Sequence, residues 1–347
     1  MSDGVRGGVF PGAVLLCGRP GKILFHKGFG VANLETGLPV GFDSVFDLAS
    51  LTKPLATALA MVILIQDGHL ALETPLGQIL PETNGTAKAD ITLDMLLRHT
   101  SGLAAHRKFY EADLGEDCPR RALRSLLVDD PLENNPGDVQ LYSDLGYMFL
   151  SWVIETTSGK RLDFFVQENL YKPLGVDTLF FRDLSSGETF PPLDRIVATQ
   201  ACPWRKKTLV GEVEDENAWA AGGIEGHAGL FGDALSVAAL CEEVLLSLKG
   251  KQGLFTPGLI ETFLSPRPGQ SMVAGFDTPA KENSSAGKRF GPGAFGHLGY
   301  TGTSFWVDPE TELIVILLTN RVHPSRANLK IREFRPKIHD AAMDFFC

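Results

Sequence analysis

The chain has 347 residues, and its 44% apolar and 21% charged residues are typical of a globular protein large enough for a substantial core. Its 42 acidic and 32 basic side chains leave a net charge of −10, which argues against nucleic acid as a partner because an acidic surface repels a polyanion. The longest apolar stretch, 55–66, is shorter than the roughly 18 residues that span a bilayer, so we expect no membrane partner.

The chain begins with a pattern typical of strands. Residues 13–17 form a short apolar run, and residues 23–26 form a second one after a turn at 19–22. This order predicts a strand, a turn and a strand, with Gly28 and Gly30 indicating a bend after the second strand.

A strongly apolar helix is predicted at 54–66, with Gly68 as its natural end. Because this segment is apolar on nearly every side, we expect it to be a buried central helix. Further helices are predicted at 93–98, 120–127, 145–157, 163–171 and 235–248.

The last part of the chain returns to strands. Residues 303–307 and 312–319 are joined by a turn at 308–311, which predicts a hairpin. The stretch 266–295 has the composition of a loop, and 334–346 has the pattern of an amphipathic helix.

Strands at both ends with helices between them predict an α+β fold. We expect one antiparallel sheet formed by both chain ends and flanked by helices, with an inserted, mostly helical lobe. The sheet-containing lobe is placed at 1–55 plus 265–347 and the inserted lobe at 56–264, with the functional site between them.

Cysteines, targeting signals and metal motifs give little indication of further function. The N-terminus lacks the parts of a signal peptide, so the expected location is the cytoplasm; a leader missing from this sequence would instead indicate the periplasm. No CxxC, HExxH or phosphate-binding glycine motif occurs, so we expect no metal and no cofactor. The five cysteines are scattered along the chain, which does not indicate a disulfide framework: Cys17, Cys118, Cys202, Cys241 and Cys347.

The pair Ser50 and Lys53 stands directly before the apolar helix. Side chains three residues apart lie on the same side of a helical turn, and Pro54 bars ordinary helical hydrogen bonding at its own position. The lysine should therefore reach the serine hydroxyl, and packing around the turn should lower the pKa of Lys53 so that it acts as a base. The alternative for Ser50 alone is a helix N-cap.

Three segments together carry a family resemblance. Residues 46–54 (FDLASLTKP), 141–147 (LYSDLGY) and 296–303 (GHLGYTGT) resemble, in order, the motifs of the serine β-lactamase and penicillin-binding-protein superfamily. The resemblance is closest to the class C branch, which also holds D-alanyl-D-alanine carboxypeptidases, D-aminopeptidases and β-lactamase-like carboxylesterases. Four further stretches are also similar to this family: 96–103, 173–175, 223–231 and 320–324.

The resemblance implies a role for each motif residue. Ser50 would be the nucleophile that forms an acyl-enzyme, and either Lys53 or a phenolate at Tyr142 would accept its proton. The backbone N–H groups of Ser50 and Tyr300 would stabilise the oxyanion. Gly299 would let the substrate lie close against the strand.

His297 stands where class C β-lactamases have a lysine. By the same resemblance it would lie beside Ser50 and Tyr142 at the sheet edge. It would contribute hydrogen bonding and a charge that depends on pH. The alternative is that His297 only holds the strand edge in place.

Asp144 is a second departure from the class C pattern, which has asparagine there. An ionised aspartate can only accept hydrogen bonds, so it would bind ordinary penicillins less well. Asp144 would instead favour a substrate amine or form an ion pair with Lys53. Both departures indicate an esterase or a peptidase-like hydrolase rather than an efficient β-lactamase.

Arg321 and Arg326 belong to a basic stretch near the C-terminus. They either contact a substrate carboxylate or are solvated residues that balance acidic neighbours. His227, in a glycine-rich turn, is interpreted as structural.

The resemblance implies a serine hydrolase that cleaves a small ester, amide or β-lactam through an acyl-Ser50 intermediate. A carboxylesterase or a hydrolase of D-amino-acid compounds or peptidoglycan fragments is preferred. The alternatives are a class C-type β-lactamase and a non-catalytic penicillin-recognition protein. The sequence does not indicate the oligomeric state.

Overall fold

The computed structural model describes residues 1–115, 119–186 and 192–347. The strands are β1 Gly12–Arg19, β2 Lys22–Gly30, β3 Phe46–Asp47, β4 Leu179–Phe181, β5 Ala201–Cys202, β6 Lys207–Thr208, β7 Leu230–Gly232, β8 Phe295–Leu298, β9 Ser304–Val307 and β10 Ile314–Thr319. The α-helices are α1 Ser2–Arg6, α2 Leu59–Gln66, α3 Leu76–Ile79, α4 Leu93–Leu97, α5 Pro119–Asp129, α6 Asp144–Ser158, α7 Leu162–Val166, α8 Glu216–Ala220, α9 Ala234–Leu248, α10 Pro257–Leu264 and α11 Ile331–Phe346.

Both ends of the chain build one antiparallel sheet. Its five strands lie in the order β2–β1–β10–β9–β8, so strands from the first 30 residues are neighbours of strands after residue 295. β1 and β10 pair in register from Ala13 with Thr319 to Gly18 with Ile314. The predicted α+β fold class, with a sheet from both termini and an inserted, mostly helical segment, is confirmed.

The central strands are buried because helices cover both faces of the sheet. Val14 and Leu16 of β1 face the main core, and α9 packs against β1 and β10. Leu15 and Cys17 face the opposite side, where they share a cluster with Met343 of α11. The helix α9 lies within the segment assigned from sequence to the inserted lobe, so that segment also covers the sheet.

The glycines of β2 correct one prediction. Gly28 and Gly30 do not form a bend after the strand; they lie within β2, opposite Val14 and Gly12. A side chain at Gly28 would meet the Val40 carbonyl oxygen at 2.3 Å. The glycine therefore allows the following segment to cross close over the strand.

The predicted central helix is longer than the sequence pattern indicated. A 3₁₀ turn Ala49–Leu51 and a π-helical segment Lys53–Ala58 lead into α2, and the chain turns at Gly68 with φ +76°. The 18 residues Ala49–Gln66 would be long and apolar enough to cross a membrane, which the apolar run 55–66 did not suggest, but 83% of the segment is buried within the fold. It is the core helix of the protein.

The other predicted helices are confirmed, with small shifts of their ends, by α4, α5, α6, α9 and α11 and by α7 with its π-helical continuation Gln167–Tyr171. The sequence did not predict α8, α10 or the three-stranded sheet β3–β7–β4. Strands of two or three residues are too short to show a period, so only tertiary pairing reveals them.

Four cysteines are free in the described ranges. Cys17, Cys202 and Cys241 are buried, and Cys347 is exposed. Burial raises the pKa of the Cys17 thiol to about 12, which makes it an unreactive small apolar residue. Cys118 lies outside the described residues.

Gly28→Ala should lower the free energy of unfolding by about 1–3 kcal/mol, because the new methyl group overlaps the Val40 carbonyl and the backbone must move. Gly258→Ala in α10 is the matched control, since its side chain would meet nothing within 4 Å and should be neutral or stabilising. Thermal unfolding of both variants measures the difference. Equal melting temperatures would contradict the close crossing.

Candidate active site

The turn that presents Ser50 is strained. Ala49 has φ +48°, which costs a non-glycine residue of the order of 1 kcal/mol or more. Two hydrogen bonds hold this conformation: the Ala49 N–H donates to Asp47 Oδ1 at 2.8 Å, and the Thr52 hydroxyl donates to the Ala49 carbonyl at 2.6 Å. The second Asp47 oxygen accepts from the Glu214 N–H at 2.6 Å and ties the turn to a neighbouring loop.

Lys53 is fully buried beneath Ser50. Its Nζ lies 3.2 Å from Ser50 Oγ, 2.7 Å from Asp144 Oδ1 and 3.1 Å from the His227 carbonyl oxygen. These three acceptors use all three hydrogens of an ammonium group. The contact expected from the spacing of Ser50 and Lys53 is present.

The charge state of Lys53 differs from the prediction. Burial by itself lowers the pKa of Lys53, but the Asp144 carboxylate and Tyr142 outweigh it and leave the pKa above its ordinary value. An opposite charge in contact favours the charged form of a buried lysine. Lys53 is therefore an ammonium at neutral pH, and the expectation of a lowered pKa is wrong.

Tyr142 lies against Lys53, with its ring centroid 4.8 Å from Nζ. Burial raises the pKa of Tyr142, and its interactions with Lys53 and Ser50 only partly oppose this effect. Its ring packs 4.6 Å from the ring of His99, which accepts a hydrogen bond from the Ser143 N–H at 3.0 Å. Tyr142 is thus held beside the nucleophile as a neutral phenol.

Asp144 begins α6 and forms the predicted ion pair with Lys53. Its second oxygen lies 3.4 Å from His106 Nδ1. Burial would raise the pKa of Asp144, but the Lys53 ammonium and the contact with His106 hold it well below the usual range. The carboxylate is ionised, and the ion pair with Lys53 that was one of the two roles considered for Asp144 is present.

His297 lies on the edge strand β8, with its ring 6.0 Å from the ring of Tyr142. Burial, followed by the Lys53 charge, lowers the pKa of His297 to about 3. Its Nδ1 lies 2.9 Å from the Leu298 carbonyl, which can only accept, so the proton is assigned to Nδ1. The imidazole is neutral near neutral pH, and the expected pH-dependent charge is absent.

The two backbone donors expected for the oxyanion lie at the cleft. Among the hydrogen bonds of residues 1–115, 119–186 and 192–347, none has the Ser50 or Tyr300 N–H as donor. Arg321 is buried and donates to the Tyr300 carbonyl from Nε at 2.9 Å and also from Nη2. It is thus neither a solvated residue nor a carboxylate ligand, but fixes the peptide beside Tyr300.

The structure gives a different reason for a glycine at position 299 from the one expected. A side chain there would meet Thr303 Oγ1 at 2.0 Å and the Leu48 carbonyl oxygen at 2.6 Å. The chain itself fills this space. Gly299 therefore lets the end of β8 pack against the Ser50 turn rather than making room for a substrate.

These elements surround a cleft of about 340 Å³. Its lining residues are Ala49, Ser50, His106, Tyr142, Asp144, Glu214, Asp215, Glu216, Ala228, Tyr300 and Arg326. Of the predicted site residues, Ser50, Tyr142, Asp144 and Tyr300 line the cleft. The buried Lys53 lies beneath Ser50 and does not line it.

The basic groups at the cleft are already paired with acids. Arg326 Nη2 lies 2.7 Å from Glu216 Oε1 and 3.0 Å from Glu214 Oε1, so this partly exposed arginine balances acidic neighbours, as one of the two alternatives expected. Burial raises the pKa of Glu214 to about 8 although Arg326 opposes it, so Glu216 balances the guanidinium at neutral pH. His227 Nε2 lies 2.9 Å from Asp215 Oδ1, which agrees with a structural role.

Sequence reasoning missed Asp47, Glu214 and the position of Arg321. Asp47 lies inside the motif 46–54, where Ser50 and Lys53 are the chemically distinctive residues, and the acidic run 214–216 was the available signal for Glu214. In the described part of the chain, no group of three or more His, Cys, Asp or Glu side chains is arranged to hold a metal ion.

Comparison with known proteins identifies the family. Residues 1–336 match the family model described as Beta-lactamase. A protein of Escherichia coli (strain K12) named "Putative D-alanyl-D-alanine carboxypeptidase" is 29% identical over 353 residues, which cover 90% of this chain and 79% of that protein. A protein of the same name from Salmonella agona (strain SL483) is 29% identical, covering 93% of this chain and 81% of its own.

Solved structures show the same fold. EstCE1, described as a hydrolase with promiscuous acyltransferase activity, has a TM-score of 0.75 at 22% identity and covers 96% of both chains. Simvastatin synthase (LovD) from Aspergillus terreus has a TM-score of 0.74 at 19% identity and covers 99% of this chain and 96% of its own. The chain belongs to the beta-lactamase family and is a serine hydrolase of that class. This family acts on small ester, amide or β-lactam substrates.

Asp47→Ala should lower both stability and hydrolytic activity, because it leaves two buried N–H groups unsatisfied, at about 1–3 kcal/mol each, and releases the Ala49 turn. Asp308→Ala is the control. It also removes two accepted hydrogen bonds, from the Glu310 N–H and the Thr311 hydroxyl, but in the turn between β9 and β10.

The melting temperatures of both variants report the loss of stability. Their kcat/KM values, measured at a temperature well below either melting transition, report the loss of activity in the folded state. Only Asp47→Ala should lose activity in its folded state. Equal retention of activity in both variants would show that the Ala49 turn does not depend on Asp47.

Proposed function

We propose that this enzyme hydrolyses small esters, and more slowly the related amides, through an acyl-Ser50 intermediate. One observation carries the proposal. A cleft-lining serine hydroxyl lies 3.2 Å from a buried lysine nitrogen, next to a tyrosine and two backbone donors that are free to bind an oxyanion. This combination supplies a nucleophile, a lysine–tyrosine pair that can accept a proton once it has lost one, and charge stabilisation.

Acylation begins when the Lys53–Tyr142 pair has one proton fewer than in its resting state. Ser50 Oγ attacks the acyl carbon and passes its proton to this pair. The carbonyl electron pair moves to the oxygen, which the Ser50 and Tyr300 N–H groups stabilise. When the intermediate collapses, the bond to the leaving group breaks, and the pair returns the proton to the leaving oxygen or nitrogen.

Deacylation repeats these steps with water in place of the serine hydroxyl. Water loses a proton to the Lys53–Tyr142 pair as its oxygen attacks the acyl carbon. The bond to Ser50 Oγ then breaks, and the serine recovers the proton. The free acid leaves, and the enzyme returns to its starting state.

Charge pairing in the cleft supports an esterase over a carboxypeptidase or a β-lactamase, whose substrates bring a carboxylate. Arg326 is balanced by Glu216, and Lys53 by Asp144. His106 contacts the second oxygen of Asp144. A substrate carboxylate entering this cleft would displace an existing acid or remain unpaired, and an unpaired charge is costly where water is excluded.

A D-alanyl-D-alanine carboxypeptidase is the second candidate, because the relatives with that name align over about 90% of this chain. Peptides ending in D-Ala-D-Ala test it directly. Benzylpenicillin tests the two remaining alternatives. A transient adduct on Ser50 would support a β-lactamase, and a lasting adduct would support a penicillin-recognition protein.

Ser50→Ala should reduce hydrolysis of p-nitrophenyl butyrate by about a thousand-fold or more, since removal of a nucleophile abolishes the covalent route. Intact-mass spectra over time should show a butyryl adduct on the native chain that forms and decays. The variant should show none. Ser125→Ala, which changes a serine of α5 outside the cleft, should behave like the native chain. Undiminished turnover by Ser50→Ala would refute the proposed nucleophile.

The double variant Glu214→Gln and Glu216→Gln should accept carboxylate-bearing substrates better, because Glu216 loses the charge that balances Arg326 and Glu214 can no longer replace that charge by ionising. We expect the ratio of kcat/KM for a D-Ala-D-Ala peptide to that for a neutral ester to rise about tenfold, the equivalent of one modest charge contact. Glu312→Gln, which removes an acid paired with Lys249 outside the cleft, should leave the ratio unchanged. An unchanged ratio in the double variant would contradict the charge argument.

A further inference from the structure

The proposed chemistry needs a proton acceptor beside Ser50, and the arrangement around Asp144 determines when one exists. We infer that Asp144 is a positioning residue that aims Lys53 at Ser50 and, by keeping a proton on the Lys53–Tyr142 pair, places the working range of the enzyme at alkaline pH. This inference rests on the proposed acyl-Ser50 chemistry and extends it to the group that sets its pH range.

The geometry around Lys53 determines where its lone pair would point. Of its three partners, the Asp144 carboxylate and the His227 carbonyl can only accept hydrogen bonds. A neutral amine has two N–H groups and one lone pair. Its two N–H groups therefore go to these two acceptors, and the lone pair is left for the side on which the Ser50 hydroxyl and Tyr142 lie.

The number of protons at the site shows why a neutral Lys53, or a Tyr142 phenolate, is rare at low pH. At rest the site holds an ammonium at Lys53, a carboxylate at Asp144 and a phenol at Tyr142, and neither Lys53 nor Tyr142 can then take a proton from Ser50. One proton must leave, either from Lys53 or from Tyr142. The Asp144 charge raises the pKa of both groups, so it opposes the reactive state whichever of them is the base.

The neighbouring rings do not offset this effect. His99 and His297 both face the pair, and burial lowers the pKa of each to about 3, so both are neutral. The centroid of the Tyr147 ring lies 5.6 Å from Lys53 Nζ, and burial raises the pKa of Tyr147 well above its ordinary value. None of these three rings changes charge between neutral and moderately alkaline pH.

Two further histidines lie near Lys53 and Tyr142, and each of them contacts a carboxylate. His106 contacts the second oxygen of Asp144, and this contact raises its pKa despite burial. As the pH rises His106 loses its charge, and the full negative charge of Asp144 then acts on Lys53. Although burial lowers the pKa of His227, the contact with Asp215 and the more distant Asp144 charge outweigh burial and leave that pKa above its ordinary value.

Asp144→Asn is the decisive variant, because it keeps the shape of the side chain and removes only the charge. We expect kcat/KM of the native enzyme for a neutral p-nitrophenyl ester to rise with pH and to reach no plateau below about pH 8. In the variant the rising limb should shift to lower pH by about 1–3 units, the usual effect of an opposite charge in contact. The limb moves to lower pH because loss of the Asp144 charge makes the proton on the Lys53–Tyr142 pair easier to remove.

Two matched variants isolate the cause. Glu216→Gln removes a different carboxylate from the same cleft and should leave the limb within about half a unit, because that charge is partnered by Arg326 and does not touch Lys53. Asp144→Glu keeps the charge but displaces it by one methylene. Its limb should stay near that of the native enzyme while the maximal rate falls.

If Asp144→Asn does not give a folded protein, an NMR titration of ¹⁵N-labelled lysine in the folded Ser50→Ala variant replaces it. The Lys53 signal should remain that of an ammonium up to about pH 9. A neutral Lys53 at pH 7, or a limb in Asp144→Asn that stays in place or moves upward, would overturn the inference. Undiminished hydrolysis by Ser50→Ala would instead overturn the proposed function, so the two failures are distinguishable.

Discussion

The buried ion pair between Lys53 and Asp144 is the interaction on which the rest of the site depends. Moving an ammonium into a protein interior costs several kcal/mol, and the carboxylate at 2.7 Å offsets much of that cost. Each member begins or precedes a helix, since Lys53 starts the π-helical turn before α2 and Asp144 starts α6. The pair therefore joins two of the three motif segments, and loss of either partner would leave an uncompensated buried charge.

The third motif segment, 296–303, is brought to the same site by the five-stranded sheet. β8 is the edge strand of the five-stranded sheet and packs against the Ser50 turn. Gly299 permits the close approach of these two elements, and Arg321 holds the Tyr300 carbonyl in place. Local strain at Ala49 is sustained by Asp47, a residue committed to backbone hydrogen bonds on both sides. The nucleophile is thus positioned by groups that take no direct part in bond making.

Membership of the beta-lactamase family sets the general chemistry but not the substrate, because one scaffold can host many reactions. The proposed preference for neutral esters rests on the state of the cations at the cleft. Arg326 already faces two acids, and the lysine expected in the third motif of class C β-lactamases is replaced by a neutral His297. A cleft whose charges are internally balanced suits a neutral ester better than a charged peptide end.

Much of this protein was determined by short-range features of its sequence. The apolar strands at both chain ends, the central helix and the reach of Lys53 to Ser50 depend on residue type and spacing within a few positions, so the pattern predicted them. The charge of Lys53, the neutrality of His297 and the role of Gly299 were predicted wrongly. They depend on burial and on partners distant in sequence, such as Asp144, 91 positions from Lys53. Electrostatic interactions act through space, so only the tertiary structure, which decides what lies within a few ångströms, could decide them.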